Sequence, residues 1–176
     1  VLATGTQPGA TNVDATSHVP PVLSKTWFHT GIYRGRDRVS DFFAGLVDET
    51  DVGEYYREPG LTDAQAREQL LPDTVMPDDL TIEEEREACR ALKGMMLRQE
   101  GYALDAADDS LVEEKKRAAT PYTVCEQNFT LERLQPQRNN PHAVFFAHPR
   151  EVVNSHYERI AADPRRSHAL ALEVDT

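Results

Sequence analysis

The feature that most restricts how this chain can fold is the rhythm of its second half. From Gly94 onward, β-prone runs follow one another and are parted by turn chemistry. "GMMLRQEGYALD" reads as a strand, with Met95 and Leu97 on one face and Met96, Arg98, Glu100 and Tyr102 on the other. "PYTVCEQNFTLERLQ" is a second strand, and "PQRNNPH" supplies the turn after it. "AVFFA", "EVVNSHYERI" and "SHALALEVD" follow, the last alternating Leu170, Leu172 and Val174 against Ala169, Ala171 and Glu173 behind the turn "AADPRR". Successive strands joined by short turns predict an antiparallel meander of long hairpins.

The first half carries one strand and two helices. In "SKTWFHTGIYRG", Trp27, His29 and Tyr33 alternate with Phe28, Thr30 and Ile32, and Gly35 sits where a turn or bulge follows. Residues 36–60 are loop-like, broken by Gly53 and Pro59. Thr62 with Gln65, and Thr81 with Glu84, have capping-box spacing. They start helices of about 63–71, stopped by Pro72, and 82–93, with Gly94 as the left-handed residue past its end. In the second helix Ile82, Cys89 and Leu92 share a thin apolar stripe, so it is expected to cover a surface rather than fill a core. "AADDSLVEEKKRAAT" fits either a short helix or a charged loop. The expected fold class is therefore α+β, mainly antiparallel hairpins with two inserted helices. Residues 1–21 form a linker or extended lead-in to a region spanning 22–176.

Charge and composition narrow the function. Only 39% of the 176 residues are hydrophobic and 28% are charged, with a mean hydropathy of −0.58. That is polar for a self-contained globule. Residues 41–90 hold fifteen acids against four bases, which accounts for the whole net charge of −11. A chain with no basic face is a poor partner for double-stranded nucleic acid. The acidic block reads as a solvated surface in preference to a docking patch for a basic partner. No apolar run of spanning length occurs, so no membrane contact is expected of this segment. The N-terminus lacks the basic start and apolar stretch of a signal peptide and has no initiator Met, so a piece of a longer protein is expected. Cys89 and Cys125 are too few for a disulfide framework and are expected as free thiols packed as small hydrophobes.

The histidine-rich stretch "HAVFFAHPREVVNSHYER" raises the question of a site. His142, His148 and His156 stand six and eight residues apart, spacings that share a strand face only if the strand is unbroken, and Pro149 is expected to break it. No His-Glu-x-x-His occurs, so satisfied or surface histidines are the reading preferred over a metal site. His18, His29 and His168 carry no motif either. Ser155 and His156 are strand neighbours that point to opposite faces and cannot form a dyad. No nucleophile elbow or phosphate-binding glycine loop is present, and Cys125 reads as a strand cysteine rather than a nucleophile. Asn128-Phe129-Thr130 matches a glycosylation acceptor. The residues thus predict no catalytic, metal or cofactor site. Two alternatives stand beside that reading: a metal-dependent hydrolase using His142, His148 or His156, and an acidic binding module in residues 41–90 that engages a basic partner through Glu83, Glu84 and Glu85.

The blocks "KTWFHTGIY", "EYYREPGLTDAQAREQLLPDTVMPDDLTIEEEREACRALKGMMLRQEGYALD", "PYTVCEQNFTLERLQPQRNNPHAVFFAHPREVVNSHYER" and "ADPRRSHALALEVD", in this order, closely resemble the B component of the tripartite bacterial insecticidal toxin complexes. The resemblance covers roughly 22–176 and falls in the middle/C-terminal region of that subunit. It implies a non-enzymatic segment of a secreted toxin, part of a hollow Rhs/YD-related β-shell. The B and C components build that shell together around the cytotoxic segment of the C component, while a propeller of B docks on the pore-forming A component. Gly94, Arg98 and Tyr102, and Tyr157 and Asp163, look like degenerate Rhs-type strand–turn–strand units. The family's self-cleaving residues belong to the C component, so no catalytic residue and no cofactor are implied here.

Overall fold

The computed structural model describes residues 21–45, 53–106 and 111–175. The expected lead-in at 1–21 lies, but for Pro21, outside the described residues. Five antiparallel strands form one sheet in sequence order: β1 (Val22–Phe28), β2 (Met96–Ala103), β3 (Thr123–Gln135), β4 (Val144–His156) and β5 (Arg165–Leu170). Every strand therefore lies beside its sequence neighbour, which is the expected meander. β1 and β5 form the outer edges.

Three helices interrupt the meander: α1 (Asp63–Glu68), α2 (Ile82–Ala91) and α3 (Val112–Ala119). Both predicted capping boxes are formed, Thr62 with Gln65 and Thr81 with Glu84. Each satisfies two backbone N–H groups that the helix leaves without partners. α1 ends at Glu68, earlier than the expected 71, and α2 at Ala91 rather than 93. Gly94, at φ +85°, makes the left-handed turn that follows α2. The segment read as helix or loop is helix α3 over Val112–Ala119; residues 107–110 fall outside the described part.

Two expectations need correction. α2 does not merely cover a surface. Its Ala88 and Cys89, with Leu92 at its C-cap, are fully buried against Val39, Met76, Leu97, Phe129 and Leu131, while Ile82 points to solvent. The stripe is thin because small residues suffice where a helix lies close to a sheet. Burying a side chain the size of Leu92 contributes roughly 1.5–3 kcal/mol.

Nor does Pro149 break the histidine-rich stretch. "AVFFA" and "EVVNSH" belong to one strand, β4. Its register passes from Phe129↔Pro149 to Asn128↔Glu151, so Arg150 is an extra residue in a bulge. The β4–β5 register ends at Glu151↔Leu170, so Pro149 lies beyond it, where β4 is an edge on that side and a missing N–H is tolerated.

Alternation along β3 sends Phe129 and Leu131 to the α2 face. Val124 and Glu126 go to the opposite face, where α1 and residues 53–57 lie across them. The connection between those helices runs along the β3 edge. Val75 bridges Thr130 in parallel there, its N–H donating to Phe129 at 3.0 Å and its carbonyl accepting from Leu131 at 2.9 Å.

Candidate functional site

The face opposite α2 holds a buried cluster of charges. Arg98 and Glu100 are two apart on β2 and so share a face; they are 5% and 0% exposed. Glu126 stands opposite Arg98 on β3. The Arg98 guanidinium donates to Glu100 through Nε at 2.7 Å and to Glu126 through Nη1. Glu100 also accepts from the Tyr102 hydroxyl at 2.6 Å and from the Tyr56 N–H at 2.7 Å. Glu126 accepts the Leu71 N–H at 2.7 Å. The Tyr55 ring covers the guanidinium at 4.7 Å and meets Trp27 edge-on at 5.1 Å.

Burial pushes the Glu126 carboxyl above its ordinary pKa, with Arg98 working against the rise. Burial by itself would lower the pKa of Arg98, but the charges of Glu126 and Glu100 reverse that and hold it above its ordinary value. The geometry, with each guanidinium nitrogen donating (the third, Nη2, to the Tyr56 carbonyl at 3.3 Å), supports a charged guanidinium between acceptors. Burial is also the largest influence on Tyr102 and Tyr55, and raises both. Such a cluster acts as a brace: it ties the 53–57 and 70–72 segments to the sheet through Tyr56 and Leu71.

Beside the brace lies a cavity of about 320 Å³. Tyr55, Tyr56 and Tyr157 line it, together with Ala66 and Leu70 near α1 and Val153 of β4. Glu58 ties three of the lining residues together, accepting from the Tyr157 hydroxyl at 2.9 Å, from Arg166 at 3.2 Å and, through its other oxygen, from Gln69 at 3.1 Å. Burial and Glu58 together push the Tyr157 hydroxyl up to about 12.

The described acids of 41–90 divide between the two readings: Asp63, Glu68, Asp78, Asp79 and Glu83 are exposed, as a solvated face requires, while others are partners inside the fold. Glu84 and Glu85 are buried in α2. Glu84 accepts the N–H groups of Thr81 and Gln137, and Glu85 the Tyr33 hydroxyl and Arg36. Glu87 holds His142 and the Ala143 N–H, both at 2.7 Å. Asp73 accepts the N–H groups of Val39 and Ser40. Glu54 accepts the Trp27 indole at 2.7 Å. Of the three glutamates named as a docking patch, Glu83 is the exposed one and pairs with Arg86.

The three candidate histidines do not converge. His142 precedes β4 and pairs with Glu87. His148 lies opposite Thr130 and His156 opposite Thr123, and those two β3 residues are seven apart. An odd separation places them, and hence the two histidines, on opposite sheet faces. The Arg150 bulge causes this, and the even spacing in sequence concealed it. Among the described residues no group of three or more His, Cys, Asp or Glu side chains is arranged to hold a metal ion. Ser155 is buried and its neighbour His156 exposed, as strand alternation requires. His168 contacts Glu151 at 3.0 Å, and His18 lies outside the described residues. Cys89 and Cys125 are free thiols, the first buried and pushed up to about 11 by burial. Asn128 of the glycosylation triplet is 2% exposed and donates to the Pro72 carbonyl at 2.7 Å.

Sequence reasoning had placed Arg98, Glu100 and Tyr102 on one face but missed their burial. The available signal was a charged pair inside a β-prone run, matched by Glu126 in the next strand.

Comparison with known proteins gives this brace-and-meander architecture a context. The crystal structure of TcdB2-TccC3-TEV is similar at 27% identity and a TM-score of 0.62, over 92% of this chain and 7% of that one. That of TcdB2-TccC3-Cdc42 is similar at 30% identity and a TM-score of 0.57, over 88% and 6%. The Photorhabdus luminescens Tc holotoxin pore is similar at 28% identity and a TM-score of 0.60, over 89% and 6%. No curated protein matches. The class is thus a β-sheet segment of an insecticidal toxin complex protein, a small part of the length of these relatives. The family model for the insecticide toxin TcdB middle/C-terminal region matches residues 87–176, just over half of the chain, and the chain belongs to that family.

Proposed function

We propose that this chain is a wall segment of the β-shell of a toxin B component, structural rather than catalytic, and part of a secreted complex. In this reading the parent subunit builds the shell with a C component and encloses that partner's cytotoxic segment, while a separate part of the parent docks on the pore-forming A component. The observation that carries it is the likeness over 92% of the chain to a TcdB2-TccC3 structure. The architecture supports it: a meander with an edge at either side is suited to continuation by further strands. Its buried charges Arg98, Glu100 and Glu126 brace loops to the sheet. The dispersal of His142, His148 and His156 gives the hydrolase alternative no geometric support, and the internal pairing of the acids weakens the docking alternative.

The test is co-purification. The parent protein, expressed with a C component, is expected to form a stable hollow particle visible by electron microscopy. A folded parent that yields no such particle rejects the reading.

A further inference from the structure

One buried ionisable side chain takes no part in the brace and has no role in the shell reading. His29 follows β1 and is 1% exposed. Its Nε2–H donates to the Val39 carbonyl at 2.5 Å, and its Nδ1 accepts the Gly31 N–H at 2.9 Å. That combination fits only the neutral ring. A protonated imidazole carries N–H on both nitrogens and would set a donor against the Gly31 N–H. The segment it holds, 38–45, is also pinned by Asp73, through the N–H groups of Val39 and Ser40 at 2.6 and 2.7 Å, and by the Ser40–Thr74 hydroxyl pair at 2.7 Å. Phe42 of this segment packs edge-on against the imidazole at 5.7 Å. Ala44, near its end, forms part of the cavity wall and lies so close to Gly53 that a Cβ there would stand 1.8 Å from the Ala44 carbonyl.

We propose that His29 is an acid-released latch: its protonation breaks the bonds to Val39 and Gly31, frees the 38–45 segment from the sheet and opens the wall of the neighbouring cavity.

The charged groups around the ring do not remove this sensitivity. Asp73 faces it, but both carboxylate oxygens are engaged by backbone N–H groups. The Lys93 stem lies over Gly31, and Arg34 stacks on Phe42 at 5.2 Å. Arg38 and Asp41 pair at 3.9 Å within the segment itself. Burial is the largest influence on His29 and lowers its pKa; the Val39 carbonyl and Asp73 offset part of that. An opened segment exposes a ring that takes its proton near the ordinary value of 6.5. The latch is thus fully present above that pH and weakens below it, by up to about tenfold in the opening equilibrium per pH unit. Asp41, held above its ordinary value by burial and Asp73, acts in the opposite direction within the same segment. This inference stands on local packing and is independent of the shell reading.

Hydrogen exchange of the full-length parent at about pH 7.5 and about pH 5.5 tests it, scored as protection factors so that intrinsic pH dependence cancels. Protection at residues 29–31 and 38–45 is expected to fall by about tenfold while the centres of β3 and β4 hold. His29→Gln and His29→Asn are expected to abolish that local pH dependence. Exchange of the imidazole C2 hydrogen reads the ring in the unaltered protein and is expected to place its titration below 6.5. Protection that does not change with pH, variants that keep the same dependence, or a ring that titrates at its ordinary value would overturn the latch.

Discussion

Arg98 and Glu126 stand directly opposite one another on β2 and β3, and their ion pair is roofed by the ring of Tyr55. A charge pair in that position is costly to break, because removing either member leaves the other buried without a counter-charge. Arg98→Met is therefore expected to destabilise the surrounding segment by about 3–5 kcal/mol. Arg98→Met combined with Glu100→Gln and Glu126→Gln is expected to recover most of the loss. Hydrogen exchange at 54–57 and 70–73, the segments tied down by the cluster, is the measurement. A single substitution as mild as a surface change would show that the brace carries no strain-bearing role.

The packing of α2 on the sheet gives a second prediction. Leu92 is fully buried among Val39, Leu97 and Leu131. Leu92→Ala is expected to cost about 2–5 kcal/mol, through lost transfer energy and the cavity left behind. Thr81→Ala, which removes only the N-cap, is expected to cost about 1 kcal/mol. Local opening energies of α2 in the two variants should differ in that order.

Acid should loosen α2 as well. The Tyr33 hydroxyl, with Arg36, holds Glu85 below the ordinary 4.5. The Ala143 N–H and His142 do the same for Glu87. A carboxylate whose folded pKa is depressed stabilises the fold above its unfolded value, and that contribution is lost as pH falls through the folded value. Glu126 has the opposite sign: raised in the fold, it favours folding in acid and gives that up as pH rises past 4.5. Glu84, held low by the Thr81 and Gln137 N–H groups, makes three depressed carboxylates in α2, and the raised one lies outside it. Protection of 82–92 should therefore fall as the pH is lowered from about 5 to about 3, and Glu87→Gln should flatten the response.

The sheet edges predict the behaviour of the chain in isolation. Every residue of β5 is exposed, and Leu172 just beyond it is 95% exposed. An edge strand whose outer side is unpaired, with exposed leucines at its end, pairs readily with another copy. The isolated 176-residue chain is expected to self-associate in sedimentation experiments. Leu170→Lys with Leu172→Lys should shift it toward monomer, and a chain that is monomeric without those changes would refute the expectation.

Asn128 should remain unmodified even where glycosylating enzymes are present. Its side-chain amide donates to Pro72 inside the fold, so a glycan there requires the 72–76 segment to leave β3. Peptide mass spectrometry after expression in a eukaryotic secretory host should find the residue unoccupied.

How much was legible beforehand varies by element. The meander and both capped helices were readable because their signals are local: period-two alternation, turn residues, and Thr–Gln or Thr–Glu three apart. The strand bounds were not, since β1 ends at Phe28 where alternation was read on to Tyr33, and β4 is one strand where two were read. The histidine geometry was not. One extra residue at Arg150 reverses the face of everything beyond it, and nothing in "HPREVV" marks the bulge except a proline that reads as a break. The role of α2 was also misjudged, because a helix with two small buried residues looks weakly amphipathic until its sheet partner is known.

The amino-acid order by itself determined that this protein would be a β-meander with capped helical insertions, and its blocks carried the resemblance to its family. The tertiary structure alone decided which charges would be buried and which faces covered. Glu54 and Trp27 meet across 27 positions, Glu85 and Arg36 across 49, and Tyr157 and Glu58 across 99. Alternation and capping act over a few residues, so sequence records them directly. Desolvation and pairing of charge depend on atoms brought from distant parts of the chain, and exist only once the fold has closed.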